Sequence, residues 1–220
     1  MTDKAVLILS GGMDSTTLLH DYKDRIAVAV NFNYGSNHNR MEAKYARLNC
    51  QQLGIELIEI DLAFIHNHFK SSLLEGADAV PNADYAEDNL KSTVVPFRNG
   101  IMLAIAAGIA ESRNLSSVMM ANHSGDHAIY PDCTPQFVNA MNLAIQAGTY
   151  GPVRLEAPYT GLSKTDIARR GLELGLDFSL TYSCYRGGEH HCGTCATCRE
   201  RHQSLMDAGI DDPTIYDTIL

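Results

Sequence analysis

The sequence predicts an α/β fold: a doubly wound, mostly parallel five-stranded sheet followed by a cysteine-bearing C-terminal segment. Three observations carry this. Short apolar, β-branched runs alternate with helical patterns, the signature of a parallel sheet wrapped by helices. A glycine-rich turn, Ser10-Gly11-Gly12-Met13-Asp14-Ser15, directly follows the first apolar run, Ala5 to Leu9. Near the other end, Cys184, Cys192, Cys195 and Cys198 crowd into fifteen residues.

The expected strands are Ala5–Leu9, Ile26–Phe32, Ile55–Asp61, Ser117–Ala121 and Val153–Ala157. Helical patterns follow at Thr16–Tyr22, Asn39–Leu53, Arg98–Arg113, Pro135–Ala147 and Lys164–Leu174. In the second of these, Met41, Tyr45, Leu48 and Leu53 share a stripe, with Glu42, Lys44 and Arg47 elsewhere. Thr134 and Ser163 are expected N-caps, the first with Pro135 at the opening helical position. Asn67–Thr93, with Gly76, Pro81, Asn82, Asp84, Glu87 and Asp88, lacks periodicity and reads as a long loop. Residues 1–178 are expected to form the α/β domain. Residues 179–220 form an appendage too short to bury much.

At 220 residues and 45% hydrophobic content the chain can bury a substantial core. No apolar run approaches the ~20 residues of a membrane span, and Met-Thr-Asp-Lys lacks a signal-peptide core. The expected location is the cytoplasm, where thiols stay reduced and clustered cysteines favour metal over disulfides. Cys50 reads as packing. The formal charge is −9, and a net-acidic surface is repelled by phosphate backbones, so no direct nucleic-acid substrate is expected.

A loop between a buried strand and a helix start exposes unpartnered N–H groups where the helix dipole is positive. Gly11 and Gly12 let the chain fold around an anion, and the Ser10 and Ser15 hydroxyls add donors. Asp14 is unsuited to phosphate and instead caps the helix or holds Mg²⁺. The pattern is neither GxGxxG nor GxxxxGK[ST].

The spacing Cys-x7-Cys-x2-Cys-x2-Cys supplies four soft ligands with no open position, which suits a structural tetrahedral Zn²⁺. An iron–sulfur cluster is the rival. Gly193 permits the tight knuckle, and metal binding supplies folding energy that so short a tail lacks. His190 and His191 are expected to be solvated loop histidines.

The Ser-Gly-Gly-Xaa-Asp-Ser pattern resembles the pyrophosphate loop (PP-loop) of the N-type ATP pyrophosphatases, whose fold is adenine-nucleotide hydrolase-like. The resemblance implies ATP binding by Leu9, Ser10, Gly11, Gly12, Met13, Asp14, Ser15, Thr16 and Thr17, with Tyr34 lining the nucleotide pocket. Further segments resemble one family across nearly the whole chain, the 7-cyano-7-deazaguanine synthase (QueC) family. They are Asn33-Tyr34-Gly35 with His38, Val95-Pro96-Phe97-Arg98-Asn99, Asp126 with Tyr130-Pro131-Asp132-Cys133, Leu162-Ser163-Lys164, and Ser183-Cys184 through the later cysteines. The order of these segments also matches.

What the resemblance implies is a nitrile-forming ligase that converts 7-carboxy-7-deazaguanine, ammonia and ATP to the cyano base, a queuosine precursor. Adenylation makes an inert carboxylate oxygen a leaving group; ammonia gives the amide, and a second adenylation gives the nitrile. Such an enzyme positions its partners and neutralises developing charge. Arg98 is the candidate for the substrate carboxylate or the ATP α-phosphate, since its planar fork suits either. Lys164 is the candidate for a phosphate or developing oxyanion, and Asp14 completes the catalytic set. Asp126 or Asp132 can accept from the guanine-like edge, with Tyr130 beside them. A homodimer is also implied.

Ser36-Asn37 stands where Gln-Arg is common, and His127-Ala128-Ile129 departs from the usual residues before Tyr130, so the acceptor is the open question. The competing readings are a PP-loop tRNA thiolase, or a homologue that adenylates another deazapurine acid for transfer to an amine. A zinc-ribbon binding module is a third, which leaves the Ser10–Ser15 loop without work.

Overall fold

The structure, a computed structural model, describes residues 2–82 and 88–218. Five strands, β1 (Thr2–Ile8), β2 (Ile26–Asn33), β3 (Glu56–Asp61), β4 (Leu115–Met119) and β5 (Arg154–Glu156), form one sheet in the order β3-β2-β1-β4-β5. All its pairings are parallel. Side chains of β1 alternate between the two faces. Val6 joins Val28, Val30 and Val118 in one core. Ala5 and Leu7 join Ala29 and Met119 in the other. Both faces are covered, as an all-parallel sheet requires.

The helices are α1 (Met13–Asp21), α2 (Asn39–Leu53), α3 (Ala63–His68), α4 (Arg98–Ser112), α5 (Pro135–Gly148), α6 (Lys164–Glu173) and α7 (Ala196–Asp207). Both expected caps form. Thr134 Oγ1 accepts the Phe137 N–H at 3.2 Å, and Ser163 Oγ accepts the Asp166 N–H at 3.2 Å within a capping box.

The structure differs from the sequence expectation in three places. Helix α1 starts three residues early, because Gly12 is its N-cap and the glycine turn runs straight into it. Helix α3 and a 3₁₀ turn at Asp88–Thr93 occupy part of the expected long loop. Residues 83–87 of that loop, Asp84 and Glu87 among them, lie outside the described residues. Helix α7 runs through the cysteine segment, where polar composition hid it. One stretch, Leu90–Ser112, is apolar enough by composition to cross a membrane. Its regular part, α4, has only fifteen residues and packs on β4 and β1 as a core helix. Its rise of about 22 Å is short of the ~30 Å hydrocarbon thickness.

The C-terminal segment closes over the sheet end. Tyr182 and the four cysteines sit in the same core as Val6 and Leu103. Arg201 on α7 is fully buried and spends its fork internally. Nε donates to Thr214 Oγ1, Nη1 to Thr181 Oγ1 and Nη2 to the Phe178 carbonyl, each at 2.7 Å.

Candidate functional site

A cavity of about 220 Å³ opens beyond the C-terminal ends of β1, β2 and β4. It lies where strand order reverses between β1 and β4, the usual ligand crevice of an open parallel sheet. Leu9, Ser10, Gly12, Met13, Asp14 and Ser15 line it from the first loop, and Tyr34, His38 and Glu42 from the β2–α2 junction. Arg98 and Asn99 enter from α4, Asp126, Tyr130 and Cys133 from the segment after β4, and Lys164 from α6. Tyr182, Ser183 and Tyr185 come from the cysteine segment.

The first loop is held by its own hydroxyls. Ser10 Oγ accepts the Gly12 N–H at 3.1 Å, and Ser15 Oγ accepts the Ser10 N–H at 3.2 Å. Gly11 sits at φ +85°, and a Cβ there would lie 2.4 Å from the Glu42 carbonyl oxygen, so α2 can approach the loop only because the side chain is absent. Gly12 caps α1 without a side-chain bond, leaving first-turn N–H groups for an anion. Gly11, Thr16 and Thr17 fall outside the cavity lining. Thr16 and Thr17 are fully buried, and Thr17 Oγ1 donates to the Met13 carbonyl at 2.8 Å.

Asp14 does not cap α1. Its Oδ2 lies 3.0 Å from Lys164 Nζ, which also stands 3.3 Å from Glu200 Oε2. Burial raises the Asp14 pKa, but Lys164 and His123 outweigh it and hold the carboxyl below its ordinary value. Burial likewise opposes the Lys164 charge, and Asp14, Glu200 and Asp126 overcome it and raise its pKa. Asp14 Oδ1 is buried without a hydrogen-bond partner. Such an orphan acceptor beside an anion cradle fits a divalent cation accompanying a triphosphate. His123 is 1% exposed. Its Nδ1 accepts the Gly125 N–H at 3.1 Å, which turns Nε2 toward Lys164 Nζ at 3.4 Å and Asp126 Oδ1 at 3.6 Å.

Arg98 opens α4 directly after Phe97, whose φ of +53° is a strained value for a side-chain-bearing residue. Its Nη1 donates to the Tyr34 hydroxyl at 2.9 Å, and no carboxylate lies within 4 Å among the described residues. The rest of the guanidinium fork is spare for an anion. Asp132 is engaged elsewhere: Oδ2 accepts the Asn99 N–H at 2.8 Å, so it satisfies the start of α4, and it does not line the cavity. Asp126 does line it, while its Oδ2 accepts the His123 N–H at 3.3 Å. The Tyr130 hydroxyl meets Tyr185 and Thr93, each at 3.0 Å.

Glu42 and His38 are one helical turn apart, with Nε2 to Oε1 3.8 Å. Burial pushes Glu42 up to about 8, with Arg98 pulling back. Burial, helped by Arg98, pushes His38 down to about 3, so its ring is neutral. The sequence reading passed over Glu42, His123, Glu200 and Tyr185. The i,i+4 spacing of His38 and Glu42 was the available signal, because it places both on the face that Tyr34 borders.

The four cysteine sulfurs lie within 4.8 Å of one another. Two of the edges are 3.9 Å (Cys192–Cys198) and 3.4 Å (Cys195–Cys198). Four sulfurs at ~2.3 Å from one tetrahedral ion are about 3.8 Å apart, so the donor set fits Zn²⁺. Backbone N–H groups of Thr194 and Cys195 point at Cys192 Sγ, at 3.4 and 3.3 Å. Gly193 has φ +73°, and a Cβ there would strike the Thr218 carbonyl at 2.2 Å. His190 is exposed, as expected. His191 is not: it is 6% exposed, its Nε2 accepts the Ser183 N–H at 3.1 Å, and it packs against the Tyr182 ring, 4.6 Å between centroids.

Known proteins resemble this chain over nearly its whole length. Residues 4–209 match the profile of the family "Queuosine biosynthesis protein QueC". A 7-cyano-7-deazaguanine synthase of Porphyromonas gingivalis is 54% identical over 213 residues, covering 97% of each chain. That of Desulfotalea psychrophila is 49% identical over 96% of this chain and 98% of its own. That of Methanoregula boonei is 44% identical over 97% and 99%. Among solved structures, NMN synthetase from Francisella tularensis shares the fold, with TM-score 0.52 and 13% identity over 96% of this chain and 79% of its own. The chain belongs to the queuosine biosynthesis protein QueC family.

Proposed function

We propose that this protein is an ATP-dependent ligase that converts 7-carboxy-7-deazaguanine and ammonia to 7-cyano-7-deazaguanine. The observation that carries the reading is a spare guanidinium, Arg98, facing the same cavity as an anion-ready glycine loop. The substrate carboxylate attacks the α-phosphorus of ATP, releasing pyrophosphate. Ammonia then displaces AMP and sheds a proton to give the amide. The amide oxygen attacks the α-phosphorus of a second ATP, releasing a second pyrophosphate, and loss of AMP and two N–H protons leaves the nitrile.

The Ser10–Ser15 loop and Lys164 hold the departing pyrophosphate. Arg98 binds the carboxylate, or the α-phosphate it joins, and Asp126 and Tyr130 border the heterocycle. Asp14 would hold Mg²⁺, which screens the phosphates when bound. Cys184, Cys192, Cys195 and Cys198 would hold Zn²⁺, which braces the strand of chain carrying Tyr182, Ser183 and Tyr185. The thiolase reading is less favoured because a sulfur carrier needs a reactive thiolate. Burial pushes Cys50 up to about 11, and burial with Asp126 and Asp132 raises Cys133 strongly.

A reducing cytoplasm suits the six free thiols. A pair of copies would meet through α5 and its flanks, since residues 134–153 contain no charged side chain and expose Leu143 and Tyr150. The test is pyrophosphate release with ATP, ammonium and the carboxy-deazaguanine. Release that depends on this acid supports the reading; no release with it, together with thiolation of a tRNA, overturns it.

A further inference from the structure

The mechanism above leaves one buried carboxyl group of the cavity unused. Glu42 projects from the first turn of α2, and its side chain is 15% exposed. Among the described residues, no N–H or O–H donates to either oxygen. Its near neighbours are His38 on the same helix, Tyr34 at the end of β2, Arg98 on α4 and Tyr185, whose ring is 5.5 Å from His38. The Tyr34 hydroxyl accepts from Arg98 Nη1 and lies 3.3 Å from His38 Nε2, and His38 is neutral. Arg98 is the nearby cation, yet the two do not pair within 4 Å. An acid and a base are thus held apart on different elements, both facing one small cavity.

That arrangement is the complement of a rigid bicycle with an anion at one end and paired N–H donors at the other. A 7-carboxylated 2-amino-pyrimidinone heterocycle has this form: carboxylate on the five-membered ring, N1–H and the 2-amino group at the far edge of the six-membered ring. We infer that Glu42 reads this N–H edge through both carboxylate oxygens and so selects a guanine-type base. Asp132 is excluded because it holds the α4 start, and Asp126 already accepts the His123 N–H. A carboxylate facing two N–H donors makes charge-assisted bonds, and an analogue lacking one donor leaves a buried oxygen unpaired. The inference rests on the carboxy-deazaguanine reading above.

The test compares wild type with Glu42→Gln, which keeps shape and removes the second acceptor. Calorimetric binding of 7-carboxy-7-deazaguanine without ATP is read beside steady-state pyrophosphate release. Affinity and KM for the acid should worsen about 10- to 100-fold, the range for losing hydrogen bonds to a charged group, while the KM for ATP stays within about twofold. Wild type should prefer the 2-amino compound over its analogue lacking that amine, and the preference should collapse in the variant.

The pH profile supplies a readout that packing would not move. Burial keeps Glu42 protonated below about 8, and the N–H edge needs the ionised form. Wild-type affinity for the acid should therefore climb as pH rises toward that value, and the variant should lack this rise. An unchanged acid affinity overturns the inference, as does a KM rise confined to ATP, which would assign Glu42 to the nucleotide. If wild type neither binds the acid nor releases pyrophosphate with it, the substrate reading and this inference both fall. If wild type is active and only the Glu42→Gln comparison is flat, the inference alone falls.

Discussion

Lys164→Met removes the cation that stands between Asp14, on the cavity wall, and Glu200 behind it. Lys164 Nζ is 3.0 Å from Asp14 and 3.3 Å from Glu200, with its side chain 11% exposed. Methionine fills the volume but leaves both acids without their partner. Breaking a buried pair in this way costs about 3–5 kcal/mol. At about 2–4 °C per kcal/mol for a chain of this size, the melting temperature should fall by roughly 6–20 °C near neutral pH. The pH dependence has a definite sign. In wild type the depressed Asp14 pKa contributes stability above the unfolded value of ~3.9, lost as pH falls through the folded value. In the variant burial acts on Asp14 with only His123 and Arg201 left to oppose it, so its folded pKa rises, and the resulting penalty is present at high pH and lifts as pH falls. The second effect narrows the gap within the range of the melts, and the first adds to it only near and below ~3.9. Circular-dichroism melts of metal-replete protein between about pH 8 and pH 5.5 measure it. Adding Asp14→Asn should recover part of the loss. A shift under about 2 °C, or a gap that is constant with pH, would refute the reasoning.

Other perturbations have equally definite outcomes. Arg98→Ala should lower kcat/KM for the acid by about 10²- to 10³-fold, as expected for truncating one partner of a buried charge pair; turnover unchanged within threefold would remove Arg98 from the site. Arg98→Lys should restore only part, because a point charge lacks the fork. Cys195→Ser should abolish stoichiometric metal, read by elemental analysis, and a fully loaded variant would contradict the four-sulfur assignment. His38 has a folded pKa of about 3 against 6.5, so the unfolded chain binds the extra proton between these values. Its stability contribution is complete above pH 6.5 and is lost on acidification by at most about 1.4 kcal/mol per pH unit. His38→Gln should flatten that part of the stability-against-pH curve, and an unchanged slope would show that the ring protonates freely.

The sheet was legible because β1 and β2 are apolar at their centres and β3 mixes apolar with acidic residues at a short period, and every expected strand is present within two or three residues. The glycine turn after β1 and the cysteine cluster were legible because both are local: a few consecutive residues define each geometry. Helix α7 was not, because its polar sequence forms one helix only when Cys195, Cys198, Arg201 and Leu205 are buried by partners distant in the chain. The buried state of His191 has the same origin, since the Tyr182 and Tyr216 rings reach it only in the fold. Asp132 and Asp126 looked equivalent as carboxylates, and tertiary hydrogen bonds separated them. Glu42 read as a solvated helix face, and the close approach of α2 to Gly11 turned it inward.

The most direct check is mass spectrometry of the heterocycle after incubation of metal-loaded protein with ATP, ammonium and 7-carboxy-7-deazaguanine. Replacement of the carboxyl group by a nitrile, with an amide intermediate early in the time course and AMP formed alongside, is the expected result. Recovery of the acid unchanged while a different acid consumes ATP would contradict the account.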